Sequence, residues 1–215
     1  MSTSNASFPI ITKLHYPPLQ MHSLPPSRSS GLNHHGPSIE AGSRGKVERC
    51  ADRAIKTFNE FDPKAIKHEL NMCNDYLRAT DSRTQAAFLD GGKLNMPYIA
   101  GQTPTQEEVK EAVRDLFKLD FMMGDPAPEN FKKTAEGKIV PVDFGLMFKR
   151  HLTDSIAPHI KIEIVHDYAK GGFKCIPDAL RGDYQNAINV MDDQLGSRGP
   201  LGRMNIQQLR RAGLF

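Results

Sequence analysis

Gly124-Asp125-Pro126-Ala127-Pro128-Glu129-Asn130 and, downstream, Val142-Asp143-Phe144-Gly145 are the stretches whose reading decides the fold. Asn130 follows Asp125 by five residues, and Asp143 follows Asn130 by thirteen. At ordinary amino-acid usage, an Asn at one fixed offset and Asp-Phe-Gly at another accompany about one aspartate in 10⁵. A small hard cation such as Mg²⁺ is held by one or two carboxylates together with phosphate oxygens, so Asp143 and the Asn130 amide oxygen suit it as metal ligands. Asp125 would then sit where an incoming hydroxyl is oriented and relieved of its proton. The alternative is two loop carboxylates and a helix or turn cap.

Between the candidate ligands, Phe131 to Val142 reads as a hairpin, with Ala135-Glu136-Gly137-Lys138 as its turn and Ile139-Val140 and Val142 as the returning strand. A hairpin brings its two ends together. Asn130 and Asp143 are therefore expected to face one metal site.

Upstream, Ile39-Glu40-Ala41-Gly42-Ser43-Arg44-Gly45-Lys46-Val47 has the form of a phosphate loop, with Gly42, Ser43, Gly45 and Val47 as its candidate binding residues. Glycines let backbone N–H groups approach phosphate without a Cβ in the way. A lone glycine pair is equally a plain turn; the distance to Ala54-Ile55-Lys56, whose lysine would add a point charge on the phosphates, strengthens the reading. Asp62-Pro63 is a helix start, an N-cap followed by proline, and Ile66, Leu70, Cys73 and Leu77 recur at helical spacing behind it. Glu69 borders that apolar stripe and is the candidate partner of Lys56, while the neighbouring His68 reads as a surface residue. Phe88 to Met96 reads as a short hairpin around Gly91-Gly92. Thr105-Gln106-Glu107-Glu108 is a capping box, opening a helix with Val109, Ala112, Val113 and Leu116 on one face. The helix leads to Phe121-Met122-Met123, read as buried core, immediately before Gly124-Asp125.

Taken with these parts in this order, Leu94-x-Met96-x-Tyr98-Ile99-Ala100-Gly101 resembles the fifth strand, gatekeeper and hinge of the eukaryotic-like protein kinase family. The resemblance covers about residues 39 to 150. It implies an α+β, two-lobed protein-kinase-like fold and the use of ATP and Mg²⁺. Met96 would lie behind the adenine, with the Pro97 carbonyl and Ile99 N–H along its edge. Lys56 and Glu69 would form the phosphate-holding pair, Asp125 would act on the acceptor hydroxyl, and Asn130 and Asp143 would hold metal.

Four departures accompany the resemblance. Glu40 stands in place of the first glycine of the phosphate loop, Met123-Gly124 in place of the His-Arg before the catalytic aspartate, and Ala127 in place of a lysine directed at the transferring phosphate. After Asp143-Phe144-Gly145 no Ala-Pro-Glu element follows, and only seventy residues remain. The C-terminal lobe is expected to be short, with His166-Asp167-Tyr168 a loose match to the helix that braces the catalytic loop. Without the arginine, control by activation-loop phosphorylation is not expected.

Residues 1–37 are rich in Ser, Thr and Pro and lack an amphipathic period, so they are expected to be a disordered tail. His34-His35 there reads as isolated loop histidines. Residues 38–101 are expected to form a kinase-like N-lobe and hinge, and 102–215 a reduced C-lobe. Compactness, the missing regulatory elements and the Ser/Pro-rich leader resemble the minimal kinases injected by bacterial type III secretion systems, the OspG and NleH group. That resemblance implies a host protein substrate, delivery into host cytoplasm, and a host activator such as ubiquitin or a ubiquitin-conjugating enzyme. A monomer is expected.

The net charge of +3 is too small to argue for nucleic acid, and the cluster Arg198, Arg203, Arg210 and Arg211 reads as a solvated helix face. No run of apolar residues is long enough to span a membrane. Cys50, Cys73 and Cys175 are too few and too scattered for a disulfide framework or zinc site. Two further readings remain open. One is a small-molecule or lipid kinase, in which the absence of Ala-Pro-Glu is natural; the other is a pseudokinase binding module, motivated by Ala127, Glu40 and the short C-lobe.

Overall fold

The computed structural model describes residues 39–42, 44–80 and 85–201. The tail 1–37, Ser43, Arg203, Arg210, Arg211 and the Glu40 side chain lie outside the described residues.

Five strands form one antiparallel sheet: β1 (Ile39–Gly42), β2 (Gly45–Cys50), β3 (Arg53–Phe58), β4 (Phe88–Asp90) and β5 (Lys93–Pro97), in the order β1-β2-β3-β5-β4. Lys56 occupies the middle of the sheet, opposite Val47 on one side and Leu94 on the other. The glycines at the β4–β5 turn both take positive φ, 53° at Gly91 and 79° at Gly92, the left-handed conformation that a tight hairpin turn demands. Helix α1 (Pro63–Ala79) starts where the sequence places it: the Asp62 carboxylate accepts from Lys64 N–H at 2.8 Å and Ala65 N–H at 3.2 Å. Its inner face buries Ile66, Glu69 and Cys73. A glutamate in that set signals a partner, since an ionised carboxylate without one is too costly to bury.

The remainder is mainly helical. Helix α2 (Gln106–Lys118) carries both halves of the predicted capping box between Thr105 and Glu108, and it buries Val109, Ala112, Val113 and Leu116. It runs directly into β6 (Phe121–Met123), whose three side chains are all buried. A 3₁₀ turn over Pro128–Asn130 follows. The predicted hairpin is then β7 (Phe131–Lys133) paired with β8 (Ile139–Pro141), with Gly137 at positive φ in its turn. Strand β9 (Met147–Lys149) returns to pair with β6. Helix α3 (Pro158–Ala169) ends before Gly171, and α4 (Arg181–Leu195) packs against it. One apolar core joins Leu94 and Met96 of the sheet to α2, β6 and β9 and continues through Ile160 and Ile164 of α3 to Ile188 and Met191 of α4. The three cysteines are free.

Two polar contacts fix the parts nearest Asp125. Tyr184 of α4 is fully buried, and its hydroxyl accepts from the Met123 N–H at 3.0 Å. Glu108, at the start of α2, pairs with Lys133 at the end of β7. Tyr184→Phe leaves the buried Met123 N–H without its acceptor, and is expected to cost about 1–3 kcal/mol in urea unfolding. No measurable cost would mean that the hydroxyl is not a brace.

The hydrogen bond from Lys133, with those from Thr105, holds the Glu108 carboxyl down to about 2, below the ordinary 4.5. A folded-state pKa below the unfolded value gives stability that is complete above pH 4.5 and is lost as pH falls toward 2. Glu108→Gln, which removes only the charge, is expected to lose less stability than wild type across that window. Equal losses in the two proteins would refute the linkage.

Candidate nucleotide and metal site

A cavity of about 1250 Å³ lies between the sheet and the helical part. Gly45, Val47, Ala54 and Lys56 line it from the sheet, Met96 to Ile99 from the end of β5, and Asp125, Asn130, Val142 and Asp143 from below. Of the residues singled out from the sequence, Glu69 reaches this space through Lys56, Gly42 ends β1 opposite Gly45, and Ser43 lies outside the described residues.

The centre of the site is the Lys56 ammonium, 3% exposed as a residue. Its Nζ lies 2.7 Å from Glu69 Oε1 and 3.1 Å from Asp143 Oδ2, so one buried cation binds a helix and the Asp-Phe-Gly segment to the sheet. Burial opposes the charge on Lys56, and Glu69 and Asp143 together outweigh it and raise its pKa. Burial likewise works against ionised Asp143; Lys56 and the Gly145 N–H, which donates to Asp143 Oδ1 at 2.9 Å, overcome it and leave the carboxyl below its usual range. Glu69 is different. Burial and then the nearby Asp143 charge push its carboxyl up to about 7 against the pull of Lys56.

Asp125 and Asn130 form a second unit. The Asn130 amide nitrogen donates at 2.9 Å both to the Asp125 carbonyl and to Asp125 Oδ2, which leaves the amide oxygen as the atom available to a cation. The hairpin closes as its sequence implied: Val142 N–H donates to the Asn130 carbonyl at 2.9 Å and brings Asp143 beside Asn130. Burial holds the Asp125 carboxyl above its ordinary range; the Asn130 bond opposes this, and the charges of Asp167, Glu129 and Asp143 add to it. Among the described residues no three His, Cys, Asp or Glu side chains converge to cage a metal. One carboxylate and one amide oxygen on the wall of a cavity are what Mg²⁺ uses when phosphate oxygens complete its shell, so the donor set fits.

At the edge of the cavity, Tyr98 N–H donates to the Asp52 carbonyl at 2.8 Å, and Pro97 stands opposite Arg53. This makes Arg53 and Pro97 a non-hydrogen-bonded pair, so the Pro97 carbonyl is directed away from β3. Strand β4 pairs with β5 only as far as Asn95, so its ladder does not reach that carbonyl. Pro97 itself lines the cavity.

Gly124 explains one departure. Its N–H donates to the Leu146 carbonyl at 2.9 Å, and a Cβ on it would lie 2.8 Å from that oxygen and 3.0–3.1 Å from Ile164. The backbone before Asp125 is pressed onto the segment after Asp-Phe-Gly, and there is no room for an arginine. Phe144 packs on Tyr76 of α1 with ring centroids 5.7 Å apart, and Tyr76 meets Phe121 edge-on at 6.1 Å.

His68 corrects an expectation. Rather than a surface residue, it is half-buried, with Nε2 2.7 Å from the Met147 carbonyl; its burial lowers its pKa. The bond joins α1 to the start of β9, and only the tertiary packing makes that partner available. Sequence reasoning also passed over Arg44, Glu163, Tyr184 and, beyond a loose motif match, Asp167, which lines the cavity. A tyrosine on an apolar helix face was the available signal for Tyr184; the others give none locally.

No family model and no curated protein sequence matches this chain. Among solved structures it is similar to WbdD, a bifunctional kinase-methyltransferase. In the crystals with the kinase inhibitor LY294002 the identity is 12%, covering 81% of this chain and 49% of that one, at a TM-score of 0.39. It is also similar to Rv3197 of Mycobacterium tuberculosis in its erythromycin complex, at 11% identity, 67% and 54% coverage and a TM-score of 0.38. The chain spans about half the length of these proteins. The fold is α+β, a five-stranded antiparallel sheet followed by a mainly helical part. Among the described residues no helix is long and apolar enough to cross a membrane.

Gly124→Ala forces a methyl against a fixed carbonyl and is expected to destabilise the protein by about 1–3 kcal/mol, the usual cost of overpacking. Denaturant unfolding measures it, and an unchanged midpoint would show that Leu146 moves aside freely.

Proposed function

We propose that the chain is an ATP- and Mg²⁺-dependent protein kinase directed at Ser or Thr hydroxyls. The observation that carries this reading is the Lys56 ammonium held by both Glu69 and Asp143 on a cavity whose wall also contains the Asp125–Asn130 pair. The Pro97 carbonyl and Ile99 N–H would hold the adenine edge against Met96, and Lys56 would hold phosphate oxygens, positioned by Glu69. Asn130 and Asp143 would hold Mg²⁺, which when bound neutralises phosphate charge. Asp125 would orient the acceptor hydroxyl and take its proton as the new O–P bond forms and the bond from the terminal phosphorus to the bridging oxygen of ADP breaks. Phosphoryl transfer asks little covalent chemistry of a protein, and a rigid arrangement of these charges supplies most of what it needs.

The acceptor side agrees with a protein substrate. An open hollow of about 540 Å³ adjoins Asp125, lined by Gln106, Glu129, Asp167, Lys170 and Lys174, a mixed-charge surface that suits an extended peptide. An effector acting on host proteins, aided by ubiquitin or a ubiquitin-conjugating enzyme, extends the reading, as the resemblance to the OspG and NleH group implies.

With labelled ATP, Mg²⁺ and a host lysate, the purified chain is expected to label serine or threonine. Asp125→Asn should lower the rate by about 10²–10⁴-fold, the range of a general base, and Asp143→Ala should abolish labelling. Labelling that survives Asp143→Ala would sink the assignment. Nucleotide binding without transfer, even with host partners, would identify a pseudokinase instead, and label on lipid or a small molecule alone would redirect the substrate class.

A further inference from the structure

Arg44 lies at the turn between β1 and β2, yet its side chain crosses the cleft. One guanidinium nitrogen pairs with Glu163 of α3. Another lies so close to Gly145 that a Cβ there would collide with it. That hypothetical Cβ would also lie 3.1 Å from Glu69 Oε2 and 3.3 Å from Asp143 Oδ1, so the guanidinium and the two carboxylates that hold Lys56 all border Gly145. Its charge is among those that favour the ionised forms of Glu69 and Asp143 and disfavour protonated His68. The glycines of a phosphate loop let its backbone N–H groups approach the phosphates. Here it also brings a fixed cation to the carboxylate proposed to hold metal, and the catalytic loop has Ala127 where the kinase resemblance puts a lysine.

We propose that Arg44 contacts the terminal phosphate of ATP and supplies from the loop the positive charge that Ala127 cannot. The inference rests on the reading of the cleft as a nucleoside triphosphate site. Arginine suits the task, because its planar fork binds two phosphate oxygens at once and keeps its charge at any working pH. Glu163, with half of its side chain exposed, holds the guanidinium over the cleft. An ion pair that exposed is weak compared with a charge-assisted bond to phosphate, so Arg44 exchanges one anion for the other.

The experiment is calorimetric titration of Mg²⁺-ATP and Mg²⁺-ADP into wild type, Arg44→Gln, Arg44→Lys and Glu163→Gln, with label transfer measured alongside. Arg44→Gln is expected to weaken ATP about 10- to 100-fold, the worth of one charge-assisted phosphate contact, while ADP changes less than about twofold. Arg44→Lys should keep part of the preference for ATP, and Glu163→Gln should not weaken ATP. In label transfer, kcat should fall in Arg44→Gln and recover in part when Ala127→Lys is added. An Arg44→Gln protein that binds ATP and ADP as wild type does would overturn the inference and leave the kinase reading standing. Parallel losses of both nucleotides, or a loss in Glu163→Gln equal to that in Arg44→Gln, would overturn it by making the ion pair a structural brace. Wild type that binds neither nucleotide would remove the site and the inference together.

Discussion

The Lys56 ammonium, shut away from water between Glu69 and Asp143, is the interaction on which the rest of the structure depends. Three separate elements meet there: the middle strand of the sheet, the helix above it, and the segment that returns from the hairpin. A buried cation cannot be left unpaired, so the carboxylates are obliged to come to it, and their elements with them. The geometry is stabilising only because two anions answer one cation and the Gly145 N–H satisfies the second oxygen of Asp143. Even so, Glu69 is buried enough for its carboxyl to be pushed toward neutral pH. Such tension between desolvation and charge is common where groups are held for chemistry rather than for stability.

The lower half of the site is made rigid by apolar packing and by a few hydrogen bonds to the backbone. Strands β6 and β9 are short, but Met122, Met123, Met147 and Phe148 are almost wholly buried, and Tyr184 and Leu146 hold the Met123 and Gly124 backbone N–H groups. The catalytic aspartate of the proposed mechanism thus follows a buried stretch whose backbone is held by these hydrogen bonds. This also gives one departure from the kinase pattern a physical meaning. Gly124 is small because a carbonyl occupies the space of its side chain.

Much of this was legible in local sequence. Asp62-Pro63, Thr105 with Glu108, Gly91-Gly92 and the turn containing Gly137 each act on neighbours within a few residues, and all four form the structures their chemistry demands. The spacing of Asp125, Asn130 and Asp143 was legible for the same reason, because a short hairpin and a 3₁₀ turn convert it directly into proximity. His68 was misread, since its acceptor, the Met147 carbonyl, is remote in sequence. The side chains of Arg44 and Glu163 were given no role, because two long charged side chains on unrelated elements look like ordinary surface residues until distant segments pack together.

The sequence by itself determined where α1 and α2 begin, where the two hairpins turn, which faces of those helices are apolar, and which residues could carry phosphate and metal chemistry. Those properties follow from backbone capping, turn conformation and periodicity, which act over one to four residues. Only the tertiary structure decided that Glu69 is buried with Lys56 rather than solvated beside it, that Pro97 lines the cavity, and that Arg44 reaches Gly145 and Glu163 across it. Each depends on the low dielectric and fixed geometry created when distant segments pack together, and neither exists in the chain until they do.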